Sequence, residues 1–281
     1  MKRLRLLLLV LTLIAAGFVF YYRRTNTIRV ETVWLQSRVT GRLLPYNVIL
    51  PRGYGPFHRA RYPVLYLLHG HGGDYSSWIA NTNLTTYMNE LNLIVVMPEG
   101  QDGWYTDSAT VPANKFETFI VNEMIPDVES RFRVIPGRSG RAIAGYSMGG
   151  YGALKFGLKY PQLFIFAGSM SGAFDASRRT DNASIMQTFG PLNSPVRDAN
   201  DLTKIATEVR PSSLPRLYFD CGTDDPWLAA NRELHTDFQR LGIEHEYREQ
   251  PGNHDWGYWD RRIRELLPVA AAAMSAGHAI H

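Results

Sequence analysis

Residues 145 to 150 read Gly-Tyr-Ser-Met-Gly-Gly, between the apolar run Arg-Ala-Ile-Ala and a helix-like run that starts at Tyr151. A serine between glycines at 145 and 149 is the pattern of a strand that turns sharply into a helix. Side chains have little room there, and glycine lets the backbone through a strained turn. Ser147 would then present its hydroxyl at the end of the strand, with the first turn of a helix behind it. Such a hydroxyl is a poor nucleophile until a histidine takes its proton and a carboxylate holds that histidine in place. The motif therefore has meaning only if a histidine and an acid follow it.

In this type of site the acid comes after the serine and the histidine after the acid. Ahead of the C-terminal His278 and His281, the candidates are His235, His245 and His254. His235 falls inside a predicted helix and His245 in the strand-like run Ile-Glu-His-Glu-Tyr, so both are expected at the surface. His254 sits in Pro-Gly-Asn-His-Asp-Trp, a loop before the last helix, from which a histidine can reach over the ends of strands. Leu-Tyr-Phe-Asp-Cys-Gly-Thr-Asp-Asp-Pro-Trp, residues 217 to 227, supplies the acid. Asp225 is preferred. Its neighbour Asp224 could instead cap the helix that begins near Pro226, and Asp220 is still within the strand, where a structural role fits better.

Acyl transfer also needs an oxyanion held by two backbone N–H groups. The residue after the nucleophile, Met148, is one donor. The loop His-Gly-His-Gly-Gly-Asp, residues 69 to 74, is placed to give the other, assigned to His71, because glycines at 70, 72 and 73 let the backbone come close to a substrate. A phosphate cradle is a poor alternative, since the lysine and Ser/Thr of a P-loop are missing. The histidines and aspartate have no metal-ligand spacing.

The elements around these residues explain how they could meet. Residues 28 to 50 alternate as two antiparallel strands around Val39-Thr40-Gly41. Residues 62–70, 93–98, 141–145, 164–169 and 217–221 are short, largely apolar runs without alternation, the pattern of strands buried on both faces of a parallel sheet. Helical spacing fills the gaps: Phe116 to Phe132 with a kink expected at Pro126, Met148 to Tyr160, and Leu228 to Leu241 closed by Gly242. Alternating strands and helices predict a doubly wound α/β domain with a mostly parallel central sheet, whose ligands bind at the carboxyl ends of the strands. Each motif above falls at such an end.

The chain has 281 residues, 45% of them apolar and 12% aromatic, enough for one large core. Its net charge of +4 is concentrated at the start, in Lys2, Arg3, Arg5, Arg23 and Arg24. Without these five, 25 basic residues face 26 acidic ones, which gives no electrostatic case for nucleic-acid binding. Between the basic residues, Leu6 to Tyr22 carries no charge and has about the minimum length for spanning a bilayer. Residues 1–24 are therefore read as a signal peptide or a membrane anchor, with residues 28–275 as the folded domain, exported to the periplasm or exterior or tethered by its N-terminus. The single cysteine, Cys221, cannot form an internal disulfide.

Taken together, Arg-Tyr-Pro-Val-Leu-Tyr-Leu-Leu-His-Gly-His-Gly-Gly-Asp-Tyr-Ser-Ser-Trp, Leu-Ile-Val-Val-Met-Pro-Glu-Gly-Gln-Asp-Gly-Trp-Tyr-Thr-Asp-Ser, the Ser147 motif and the segments around Asp225 and His254 span about residues 62 to 259. This series resembles the esterase family that includes esterase D, S-formylglutathione hydrolases, tributyrin-type esterases and feruloyl esterases, with mycolyltransferases as more distant members. The resemblance implies an α/β-hydrolase fold and a serine carboxylic ester hydrolase without a cofactor or metal. It implies Ser147 as nucleophile, Asp225 as acid, His254 as base, and the amides of His71 and Met148 as oxyanion hole. Trp104 and Tyr105 are expected to line the pocket, and residues 173–205 to form a cap that selects the substrate, a small or carbohydrate-linked ester. An acyltransferase would use the same residues with an alcohol in place of water, and a non-catalytic binding protein would share the fold alone. The N-terminal apolar segment departs from the cytoplasmic thioesterase members, which argues against formylglutathione detoxification.

Overall fold

Five apolar strands lie side by side at the centre of the computed structural model, which describes residues 9–17, 19, 27–56 and 59–276. They are β3 (Val64–Leu68), β4 (Ile94–Pro98), β5 (Arg141–Tyr146), β6 (Phe166–Met170) and β7 (Arg216–Gly222). The antiparallel pair β1 (Arg29–Gln36) and β2 (Leu43–Leu50) flanks them on one edge, and β8 (His245–Gln250) closes the other. The order is β1-β2-β4-β3-β5-β6-β7-β8, and every pairing from β4 to β8 is parallel. Residues of β3 to β6 that alternate between the two faces are buried, apart from the half-buried Arg141 at the start of β5, because helices cover both sides. One apolar core, with Tyr66, Ile143, Leu154 and Phe219, fills one face. The other, with Leu65, Leu67, Trp78, Ile263 and Leu266, fills the opposite face.

The register brings the strand ends level. Leu68 pairs with Gly145, Tyr146 with Met170, Met170 with Asp220, and Gly222 with Gln250. The loops after β3, β5, β7 and β8 therefore open on one edge of the sheet. Helices α1 (Ser77–Asn81), α2 (Ile125–Arg131), α3 (Met148–Lys159), α4 (Leu228–Arg240) and α5 (Trp256–Ala276) pack behind these loops. The expected kink near Pro126 is instead a widened turn, a π-helical stretch over Ile120–Met124, with Pro126 in the first turn of α2. A proline ring crowds the carbonyl four residues back, here Asn122, so the irregularity falls upstream of the proline itself.

Residues 173–205 contain the short helices Ala183–Phe189 and Pro195–Asp198 and the start of a third, Leu202–Glu208. Arg197 gathers them: its buried guanidinium donates to the carbonyls of Ser177, Arg179 and Gly190. The apolar stretch 6–22 lies partly outside the described residues, and positions 9–17 are helical. Among the described residues no helix is long and apolar enough to cross a membrane.

Candidate active site

Ser147 stands between β5 and α3 at φ 54° and ψ −119°, a left-handed conformation that side chains rarely adopt. The expectation that glycine would absorb this strain is corrected here, since Gly145 and Gly149 are not at positive φ. Their role is close approach. A Cβ at Gly149 would lie 2.5 Å from the Leu68 carbonyl oxygen and 2.6 Å from that of His69, and one at Gly145 would meet the Gly149 backbone. The two glycines let α3 press against the ends of β5 and β3. Ser147 is held in its turn by its N–H, which donates to the Met170 carbonyl, and by its carbonyl, which accepts from Tyr151 and Ala173.

Asp225 and His254 approach Ser147 from the loops after β7 and β8. A Cβ at Gly222 would strike the Gly252 carbonyl at 2.3 Å, so this glycine lets the two loops pack directly, and the Asp224 N–H donates to the same carbonyl. His254 Nε2 lies 2.9 Å from Ser147 Oγ, and His254 Nδ1 lies 2.9 Å from Asp225 Oδ2. Asp225 Oδ1 accepts from the Trp227 N–H at 2.8 Å. A carboxylate only accepts, so Nδ1 carries the imidazole proton and Nε2 is free to accept from the serine hydroxyl. The carboxylate is buried, whereas the histidine side chain is 23% exposed and rests edge-on against Trp259. Asp224 is at the surface, outside this chain of bonds.

Met148 is the first residue of α3, so its N–H has no acceptor within the helix. His71 lies in a tight turn, residues 70 to 73. In that turn the Gly73 N–H donates to the Gly70 carbonyl and the Gly72 N–H to Asp102 Oδ1 at 2.7 Å. Its imidazole is exposed, 3.7 Å from Asp102. His71 and His254 both line a cavity of about 450 Å³ that reaches Ser77, Asn81, Asp255 and Trp256.

Tyr105, expected as a pocket wall, is fully buried, and its hydroxyl donates to the His69 carbonyl at 3.0 Å. It supports the His71 loop rather than facing a ligand. Trp104 is 3% exposed, donates Nε1–H to Ser184 Oγ, and packs between His71, Tyr151 and Phe189. It is the joint between the 173–205 segment and the site. His235 and His245 are half-buried rather than at the surface. Their rings bond each other at 2.7 Å, and His245 stacks on Phe219, because β8 closes the sheet over the aromatic face of β7. Asp220 is buried, as a structural residue should be. Its partners are the hydroxyls of Tyr218 and Tyr258.

Sequence reasoning missed a buried cation. Lys155, on the inner face of α3, donates to the Tyr105 carbonyl, Thr106 Oγ1 and Glu117 Oε2, at 2.7, 2.7 and 2.8 Å. Burial alone would raise the Glu117 carboxyl, but the ammonium groups of Lys155 and Lys159 outweigh it and hold the group at about 2. This pair anchors the segment in which Gln101, Trp104 and Tyr105 all sit at positive φ. The only signal in the sequence was a lysine among apolar helix positions, in Gly-Ala-Leu-Lys-Phe-Gly.

A family model described as "Putative esterase" matches residues 37–269. An acetyl esterase of Caldicellulosiruptor saccharolyticus is 33% identical over 212 residues, covering 71% of this chain and 79% of that protein. A solved ferulic acid esterase superposes with a TM-score of 0.77 at 28% identity, over 89% of this chain and 99% of its own. The Staphylococcus aureus fluorophosphonate-binding serine hydrolase FphF gives 0.80 at 25% identity, over 87% and 99%.

Proposed function

The chain belongs to this esterase family, and on that premise we propose that it is a serine carboxylic ester hydrolase working through an acyl-enzyme on a small or medium acyl ester. The observation that carries the proposal is the unbroken chain Asp225–His254–Ser147, with both bonds to the imidazole at 2.9 Å. His254 takes the Ser147 proton as Oγ attacks the ester carbonyl. The amides of Met148 and His71 receive the oxyanion, and the positive end of α3 adds to that field. The imidazolium, stabilised by Asp225, then returns the proton to the leaving alcohol. Water, deprotonated by the same histidine, releases the acid and frees the serine.

Acetyl and aromatic acyl groups are the first candidates, because the similar proteins act, by their names, on acetyl and ferulic acid esters. The apolar stretch 6–22 with basic residues on both sides supports an exported or membrane-tethered enzyme. The test is turnover of p-nitrophenyl acetate, butyrate and octanoate and of methyl ferulate by the purified chain, beside Ser147→Ala. Serine-dependent turnover supports the reading, and a folded chain inert on all four esters refutes it.

A further inference from the structure

We propose that His69 is a positioning residue that locks the Gly70–His71 peptide with its N–H turned out of the loop, toward the cleft at Ser147. The inference rests on the esterase reading above and adds the group that keeps the oxyanion site formed. Gly70 has to be glycine, since a Cβ there would lie 2.4 Å from the Tyr146 ring. A glycine also leaves the following peptide free to rotate. One orientation of that peptide offers an N–H to the oxyanion. The opposite orientation would offer the Gly70 carbonyl, whose negative end repels it.

Three contacts select the first orientation. The Gly73 N–H donates to the Gly70 carbonyl at 3.1 Å across a turn whose third residue, Gly72, sits at φ 72°, the signature of a type II turn. The buried His69 ring supplies a second donor: Nδ1 lies 2.8 Å from the Gly70 carbonyl oxygen. The ring's tautomer follows from its other nitrogen, which accepts the Gly100 N–H at 2.9 Å and so leaves the proton on Nδ1. In a trans peptide the C=O and the next N–H point in opposite directions. Holding the Gly70 carbonyl inward therefore turns the His71 N–H outward. The third contact fixes the His69 backbone, whose carbonyl accepts from Tyr105 O–H at 3.0 Å. The same carbonyl lies against Gly149, two residues past Ser147, which puts this loop beside the nucleophile.

Two substitutions separate the ring nitrogens. His69→Gln keeps an acceptor near Nε2 and loses the Nδ1 donor, whereas His69→Asn places an amide nitrogen near Nδ1. With the full chain and p-nitrophenyl acetate, His69→Gln should lose on the order of 10²-fold in kcat, as for a lost oxyanion donor, with KM little changed. His69→Asn should recover most of that loss, and the pH midpoint of kcat/KM should be the same in both variants as in the parent. Equal kcat in His69→Gln and the parent overturns the proposal, as does a loss confined to KM, a shifted midpoint, or equal losses in the two variants. If neither variant folds, Tyr105→Phe decides, because it removes only the hydroxyl that holds the His69 carbonyl. A drop in kcat at constant KM then supports the lock, and an unchanged kcat refutes it. A parent chain without Ser147-dependent turnover would defeat the esterase reading itself. Failure of the lock alone appears as an active parent with an equally active His69→Gln.

Discussion

Ser147, the proposed nucleophile, sits in a backbone conformation that suits glycine better than serine. Side chains held in such regions cost on the order of 1–3 kcal/mol, against roughly 0.5–1 kcal/mol of extra chain entropy lost by a glycine. Both Ser147→Ala and Ser147→Gly should abolish turnover, but only the glycine relieves the strain. Ser147→Gly should therefore melt above Ser147→Ala in a thermal scan, and a lower melting temperature would show that the turn is not strained. Asp225 gives a second prediction at this scale. Its two oxygens accept from Trp227 N–H and His254 Nδ1–H. In Asp225→Asn the amide can still accept from Trp227, but its NH2 then faces Nδ1 and moves the imidazole proton to Nε2, where it blocks the serine. Such a tautomer error lowers kcat by about 10⁴-fold in serine proteases with the same constellation. A comparable loss is expected here with an unchanged melting temperature. Near-normal kcat would mean that another group orients His254.

At the level of elements, β7 and α5 are joined through one carboxyl, that of Asp220, which takes hydrogen bonds from Tyr218 within the strand and Tyr258 on the helix. Burial raises this group to about 7 from 3.8, against the pull of the two hydroxyls. The folded chain thus keeps a proton that the unfolded chain loses near pH 4. Its contribution to stability falls as the pH rises from about 4 to 7 and is constant above that. Asp220→Asn cannot ionise, so its unfolding free energy should gain on that of the parent by about 1 kcal/mol per pH unit across the window and then level off. Denaturant unfolding at pH 4.5, 6 and 8 measures this, and parallel profiles would sink it. The same elements show what a sequence reveals and what it hides. The apolar runs identified β3 to β7 because a strand buried on both faces carries few polar residues to confuse the pattern. The turn residues after β5 and β7 led to Ser147 and Asp225, and the loop after β8 to His254, because short loops at level strand ends leave few candidates. Side-chain direction was not legible. Tyr105 looked like a pocket wall and proved to be a strut, and Lys155 and Glu117 meet only once α3 has packed against the segment before α2.

For the whole molecule, every element described around the site lies between Val64 and Ala276, and the sheet begins at Arg29. The chain beyond Arg24 is nearly balanced in charge, while the first 24 residues hold five basic residues and no acid. Fold and charge therefore divide at about the same place. On the proposed reading, the apolar stretch between basic ends holds the protein at a membrane, whereas the proposed triad is built from the sheet and its loops. Removing residues 1–26 should leave kcat on p-nitrophenyl acetate unchanged and move the protein from the membrane pellet to the supernatant after cell lysis and centrifugation. Recovery of the full chain in the exported soluble fraction, shortened near residue 24, would instead identify the stretch as a cleaved signal. A truncated chain that still pellets would place the membrane contact within the folded domain. In that case the exposed apolar side chains Val30, Trp34 and Leu43, on the edge hairpin of β1 and β2, are the first residues to replace. A truncated chain that is soluble but inactive would show that the leader contributes to the fold, contrary to the separation that charge and topology indicate.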